Sequence, residues 1–148
     1  MNELERLVQS TRAALGRLGA ERALVVSGED GLDEVSAAGP TQAVELREGR
    51  LDAVTIAPEA LGVEPIPPGA LSACEPDESA ACARSVMAGD HGPERTIVVL
   101  NAAAAIYVGG VADSLEEGVR AAERAIDSGA ARGVVERFVE RTRELAPS

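Results

Sequence analysis

The fold class is decided by one stretch near the start of the chain, Ala-Leu-Val-Val-Ser-Gly-Glu-Asp-Gly-Leu-Asp-Glu over residues 23–34. Its first half, 23–28, is a short apolar run with two β-branched residues that closes on a glycine, a pattern that predicts a buried strand. Leucines recur at helical spacing among charged residues before it, which predicts an amphipathic helix over 2–18. A helix that leads into a buried strand is half of a βαβ unit, so the fold class predicted here is α/β.

The rest of the chain predicts a hairpin and further helices. Apolar and polar residues alternate on both sides of Glu48-Gly49-Arg50, which predicts a β-hairpin over 44–56. Prolines and glycines make 58–76 an extended connection. Helices are predicted over 78–88 with Asp77 as N-cap, over 95–108 as a buried central helix, from a Ser114–Glu117 capping box to Gly129, and around the apolar positions of 134–145.

Composition narrows the class of protein. The 148 residues are 45% hydrophobic and 26% charged, which fits one globular domain. The net charge is −11 and all 14 basic residues are Arg, so binding to nucleic acid or to an anionic membrane is disfavoured. The absence of Lys also excludes a P-loop lysine and Schiff-base chemistry. The sequence has only two cysteines and no recognisable secretion signal. Both features favour a protein of the reducing cytoplasm over a secreted, disulfide-bonded one.

The second half of the opening stretch is strongly acidic. Glu29, Asp30, Asp33 and Glu34 fall within six residues, directly after the predicted strand. Close carboxylates repel one another unless a cation lies between them, and Mg²⁺ is commonly held by one or two carboxylates together with phosphate oxygens. A phosphate-bound Mg²⁺ site and a solvated acidic turn both remain open on this spacing alone. The ligand spacing of an EF-hand is absent.

Other chemically capable residues carry weaker signals. His91 is the only histidine and lies in a Gly/Pro turn, where a solvated side chain is favoured over a catalytic one. Cys74 and Cys82 are eight positions apart without a second pair, which disfavours a zinc site. Asn101 interrupts an apolar helix, and we expect it to be a buried hydrogen-bond partner rather than a ligand contact.

Several stretches in register resemble the C-terminal part of anthranilate phosphoribosyltransferase. The resemblance runs from about Leu18 to Ala131 and is carried by the stretches 18–26, 28–36, 39–41, 100–107, 112–118 and 125–129. Each stretch alone is weak evidence for the resemblance, whereas the order and spacing of all six stretches together are specific evidence. The resemblance implies the C-terminal portion of the phosphoribosyltransferase and nucleoside-phosphorylase-like α/β domain.

The resemblance also implies a reaction and a metal. Members of this family transfer the 5-phosphoribosyl group from phosphoribosyl pyrophosphate to anthranilate in tryptophan biosynthesis. They use Mg²⁺, held in part by an Asp-Glu pair that corresponds here to Asp33 and Glu34. Glu29 and Asp30 would then be supporting or solvated acids, and no catalytic residue is assigned within this chain.

The resemblance covers roughly the last two-fifths of a family member. We expect the helical N-terminal domain with its dimer contacts, the Gly-Thr-Gly-Gly-Asp diphosphate loop and the substrate-binding residues to lie outside it. The isolated chain is therefore expected to be inactive. Two alternatives are a subunit of a split enzyme, completed by a partner chain, and a non-catalytic interaction module that keeps only the metal loop. Missing sheet neighbours would leave an exposed apolar patch near 24–26 and 97–108.

Overall fold

The computed structural model describes residues 15, 19–71 and 75–146, which fold into a three-stranded sheet and a layer of helices. The strands are β1 (Arg22–Gly28), β2 (Thr41–Arg47) and β3 (Arg50–Ile56). A 3₁₀ helix (Pro58–Leu61) is followed by α1 (Pro76–Ala88), α2 (Pro93–Val108), α3 (Leu115–Asp127) and α4 (Ala130–Leu145). This confirms an α/β fold with a hairpin and several helices. The helix predicted over 2–18 lies outside the described residues apart from Leu15.

The sheet is an antiparallel meander in the order β1-β2-β3. Val44 in the central strand is paired with Val25 of β1 and Ala53 of β3. Glu48 and Gly49 connect β2 to β3 with φ angles of 53° and 76°, the left-handed backbone that a tight two-residue hairpin requires. The predicted hairpin is therefore confirmed.

The strand predicted at 23–28 forms, as β1. The helix of the predicted βαβ half lies outside the described residues apart from Leu15, so that unit stays a prediction. Residues 29–40 turn the chain back without a helix, so the following strand β2 runs antiparallel to β1. Within the described part of the sheet β1 is an edge strand, and its apolar residues are half-buried rather than fully buried. An apolar run does not distinguish parallel from antiparallel neighbours, because it reports burial alone.

The helix α2 is central, as predicted. Its residues Val99, Leu100 and Ala103 are almost completely buried and pack with α3 and the inner face of the sheet. The helices α2 and α3 lie very close together at Gly118, where an added Cβ would lie 2.6 Å from the carbonyl oxygen of Ala103. The two helices can approach this closely only because no side chain stands at Gly118.

Two helix starts differ in detail from the prediction. Asp77 is not the N-cap of α1, because Pro76 takes the first helical position and the cap moves back to Glu75. Ser114 caps α3 as predicted and accepts a hydrogen bond from the Glu117 amide at 3.2 Å. The Glu117 carboxylate, however, accepts from the amide of Asp113 rather than from that of Ser114.

The exposed apolar surface is not where the sequence predicts it. Residues 24–26 and 97–108 are mostly buried or half-buried, because they pack against one another in the same core. The large exposed apolar side chains lie instead mainly on α4, where Phe138 and Leu145 are each 67% exposed. No helix in the described ranges is long and apolar enough to cross a membrane.

Candidate functional site

The acidic stretch forms a closed loop between β1 and β2. The Gly28 amide donates to the carbonyl of Leu32 at 2.8 Å, and the Glu29 amide donates to that of Pro40 at 3.0 Å. Gly31 adopts a φ of 90°, which a residue with a side chain rarely takes. These bonds fold the first half of the loop back onto the end of β1, so the loop has a defined shape.

Two of the four acids hold the loop together. One carboxylate oxygen of Asp30 accepts from the Ser36 hydroxyl at 2.6 Å, and the other accepts from the Leu32 amide at 3.3 Å. The Glu29 carboxylate accepts from the Gln42 side-chain amide at 2.9 Å. Asp30 and Glu29 are thus engaged in internal hydrogen bonds.

The other two acids, Asp33 and Glu34, have no such partners. Asp33 is exposed and Glu34 is half-buried, and neither forms a hydrogen bond or ion pair with any residue in the described ranges. The same ranges contain no group of three His, Cys, Asp or Glu side chains able to hold a metal ion. Two carboxylates without a hydrogen-bond or ion-pair partner in the described ranges (below, the uncommitted carboxylates) suit a cation whose remaining ligands are phosphate oxygens and water. This is a common environment of Mg²⁺.

The loop is anchored directly after Glu34. Val35, Ser36 and Ala37 are each no more than 2% exposed. The Asn101 side chain in α2 accepts from the Val35 amide and donates to the Val35 carbonyl, both at 2.9 Å. The Ser36 amide donates to the Thr41 hydroxyl at 2.9 Å. The prediction that Asn101 is a hydrogen-bond partner within the protein is confirmed, although its side chain is half-buried rather than buried.

The anchoring roles of Ser36 and Thr41 are missed by sequence analysis. The sequence feature that could have predicted the role of Ser36 is its spacing from Asp30. A hydroxyl six residues after a carboxylate can donate a hydrogen bond to it and so close the loop between them. That signal is weak, because it depends on the turn at Gly31.

The remaining candidates lie away from this loop. His91 is exposed between α1 and α2, and it borders an open cavity that is also lined by Cys82 and Arg95. Arg95 is 7% exposed and is held by an ion pair to Asp127 at 2.7 Å. Cys74 lies outside the described residues. These observations neither add a metal site nor assign a reaction to His91.

The single tyrosine forms a polar cluster at the opposite end of the sheet. The Tyr107 hydroxyl donates to the Glu45 carboxylate and accepts from the Arg47 guanidinium at 3.1 Å. The Arg22 guanidinium lies 5.4 Å from the ring centre and donates to the Tyr107 carbonyl at 3.2 Å. The hydrogen bond to Glu45, aided by burial, raises the pKa of the Tyr107 phenol. This cluster ties α2 to the sheet.

Comparison with known proteins defines the class. The chain belongs to the glycosyl transferase family, a/b domain, whose model matches residues 4–132. Its relatives include the anthranilate phosphoribosyltransferases of Methanobrevibacter smithii, 46% identical over 138 residues, and of an Acidovorax strain, 47% identical over 142 residues. These alignments cover 93% and 96% of this chain and 41% of each relative.

Solved structures give the same result. Anthranilate phosphoribosyltransferase from Thermus thermophilus matches with a TM-score of 0.82 at 39% identity, over 93% of this chain and 40% of that one. The enzyme from Saccharomyces cerevisiae in complex with PRPP and Mg matches with a TM-score of 0.79 at 25% identity, over 92% and 40%. The chain thus spans about two-fifths of the length of these proteins.

Proposed function

We propose that residues 1–148 are the C-terminal part of the α/β domain of an anthranilate phosphoribosyltransferase. We further propose that Asp33 and Glu34 hold the Mg²⁺ that accompanies phosphoribosyl pyrophosphate. The observation that carries the second proposal is the pair of uncommitted carboxylates on an anchored loop. It is supported by the S. cerevisiae relative, which was solved in complex with PRPP and Mg.

In the proposed reaction, the anthranilate nitrogen forms a bond to C1 of the ribose. The bond between C1 and the pyrophosphate oxygen breaks, and the nitrogen loses a proton. When bound, Mg²⁺ neutralises negative charge on the diphosphate.

The contribution of this chain is positioning. Asp33 and Glu34 place two negative charges at adjacent positions of a loop whose following residues are buried, so a cation held by them would have a defined location. Fixed charges of this kind stabilise a transition state because they need little rearrangement during the reaction. No residue of this chain is proposed to transfer a proton.

Calorimetry with preformed magnesium pyrophosphate tests the metal proposal. The unmodified chain is expected to release or absorb heat on binding, and the double variant Asp33→Asn/Glu34→Gln is expected to lose that signal. The double variant Glu59→Gln/Glu64→Gln is the matched control, since it removes the same charge from two exposed positions outside the acidic loop. Equal binding by the Asp33/Glu34 variant and the control would contradict the proposal.

Turnover by the isolated chain is a separate question. Because the chain spans only 40–41% of its relatives, we propose that it lacks the groups that bind most of the substrate and is inactive alone. Loss of anthranilate fluorescence in the presence of phosphoribosyl pyrophosphate measures this directly. Rapid turnover would overturn the proposed inactivity but not the family assignment.

The exposed apolar face of α4 favours a second candidate, a subunit that is completed by another polypeptide. Its apolar side chains are exposed in this structure, as at the surfaces that proteins use for assembly. Restored turnover on mixing with a polypeptide that carries a Gly-Thr-Gly-Gly-Asp loop would support this candidate. Unchanged inactivity, with no complex on light scattering, would contradict it.

A further inference from the structure

The contact between Asn101 and Val35 differs from the other contacts of the acidic loop. It joins two residues that are 66 positions apart and uses both hydrogen-bonding groups of the Val35 backbone. The Asn101 amide also donates to the Ile97 carbonyl at 3.0 Å, so its orientation is fixed within its own helix. An amide held in this way acts as a rigid partner for the loop.

This contact fixes the backbone directly after the acidic pair. Val35 directly follows Glu34, and a shift of its backbone would displace the preceding carboxylates. The Ser36–Asp30 anchor lies within the loop, and the Ser36–Thr41 anchor joins the loop to the first residue of β2, so neither reaches the helical layer. Among the described residues, Asn101 is therefore the side chain whose hydrogen bonds connect the backbone after the acidic pair to the helical layer.

From this geometry we propose that Asn101 is a positioning residue for Asp33 and Glu34. Its side chain fixes the backbone after the acidic pair and thereby sets the location of the cation, which Asn101 itself does not contact. This inference rests on the proposed function of the loop. Groups that orient metal ligands in this way commonly change metal affinity by about 10- to 100-fold when they are removed.

Three variants separate positioning from stability. Asn101→Leu has a similar size and removes all three hydrogen bonds. Asn101→Asp keeps the shape and the acceptor but, when ionised, cannot donate to the Val35 and Ile97 carbonyls, and it tests the proposal if the leucine variant fails to fold. Ile126→Ala is the stability control, because Ile126 is buried in α3, an element without a hydrogen bond to the loop among the described residues.

Two measurements are made on each variant under conditions where it is folded: affinity for magnesium pyrophosphate by calorimetry, and hydrogen exchange of the Val35 amide by NMR. Both Asn101 variants are expected to bind about 10-fold more weakly or worse, with faster exchange at Val35 in the leucine variant. Ile126→Ala is expected to be less stable and yet to bind like the unmodified chain.

The outcomes distinguish this inference from the proposed function. Unchanged affinity in both Asn101 variants would overturn the inference alone. An equal loss of affinity in Ile126→Ala would also overturn it, since general loosening would then explain the effect. Failure of the unmodified chain to bind magnesium pyrophosphate would overturn the proposed function and this inference with it.

Discussion

Replacement of Gly118 by alanine is expected to destabilise the protein, although alanine is the better helix former. The new Cβ would lie 2.6 Å from the Ala103 carbonyl oxygen and 3.1 Å from the Cα of Ala103. Both atoms belong to the backbone, so no side-chain rotation relieves the overlap. Helices α2 and α3 would have to move apart by about 0.8 Å to restore ordinary contact near 3.4 Å.

The two opposing effects can be compared in magnitude. Alanine in place of glycine within a helix contributes about 1 kcal/mol of stability. Overpacking of a tightly packed interface costs about 1–3 kcal/mol, and backbone overlap places Gly118 at the upper end of that range. The expected net loss is about 2 kcal/mol, or about 4–8 °C in Tm for a domain of this size.

Thermal unfolding followed by circular dichroism measures this loss, and Gly133→Ala in α4 is the matched control. A Cβ at Gly133 would meet only the end of the flexible Arg137 side chain, at 3.4 Å. That variant is expected to gain about 0.5–1 kcal/mol from helix propensity alone. If Gly118→Ala were as stable as Gly133→Ala, the close approach of α2 and α3 would be refuted.

Two further predictions concern the polar contacts of the helical layer. The phenol of Tyr107 is expected to ionise above its ordinary pKa of about 10. Glu45→Gln is expected to lower that pKa, because it removes the carboxylate that accepts the hydrogen bond from the phenol. Absorbance near 295 nm measures the ionisation, since Tyr107 is the only tyrosine in the sequence. Removal of Asp127 by alanine is expected to cost about 1–2 kcal/mol in denaturant unfolding, because Arg95 is 7% exposed and loses its charged partner. Removal of Glu136, whose ion pair on α4 is exposed, is expected to cost less than about 0.5 kcal/mol.

Each of these predictions has a contradicting result. Since the folded-state pKa of Tyr107 is raised, its contribution to stability is complete below pH 10 and is lost as the pH rises through the folded pKa. An ionisation midpoint at or below 10 in the folded protein would contradict the hydrogen bond to Glu45. Equal losses from Asp127→Ala and Glu136→Ala would show that burial of Arg95 does not strengthen its ion pair.

The elements that sequence analysis predicts well are those encoded by neighbouring residues. The hairpin follows from alternation around Glu48 and Gly49, and the cap at Ser114 follows from its spacing to Glu117. The internal role of Asn101 follows from the isolation of one amide in an apolar helix. In each case the deciding interaction involves residues close in sequence or an environment that is uniformly apolar.

The predictions that fail depend on which other elements lie beside a segment. The apolar run of β1 predicts full burial, but β1 is an edge strand within the described part of the sheet and its apolar residues are half-buried. The spacing of Val134 and Phe138 marks one face of α4, but it does not report whether another element covers that face. Which of the four acids form internal hydrogen bonds depends on Ser36 and Gln42, and the sequence carries only the weak signal of the Asp30–Ser36 spacing for these contacts.

The closed shape of the acidic loop has a thermodynamic consequence. Its backbone is tied at Gly28, Val35 and Ser36, so its conformational entropy is lost when the chain folds rather than when a ligand arrives. Association at this loop is therefore expected to carry a small entropic penalty from ordering and a small change in heat capacity. A disordered acidic segment of equal charge would show the opposite signature.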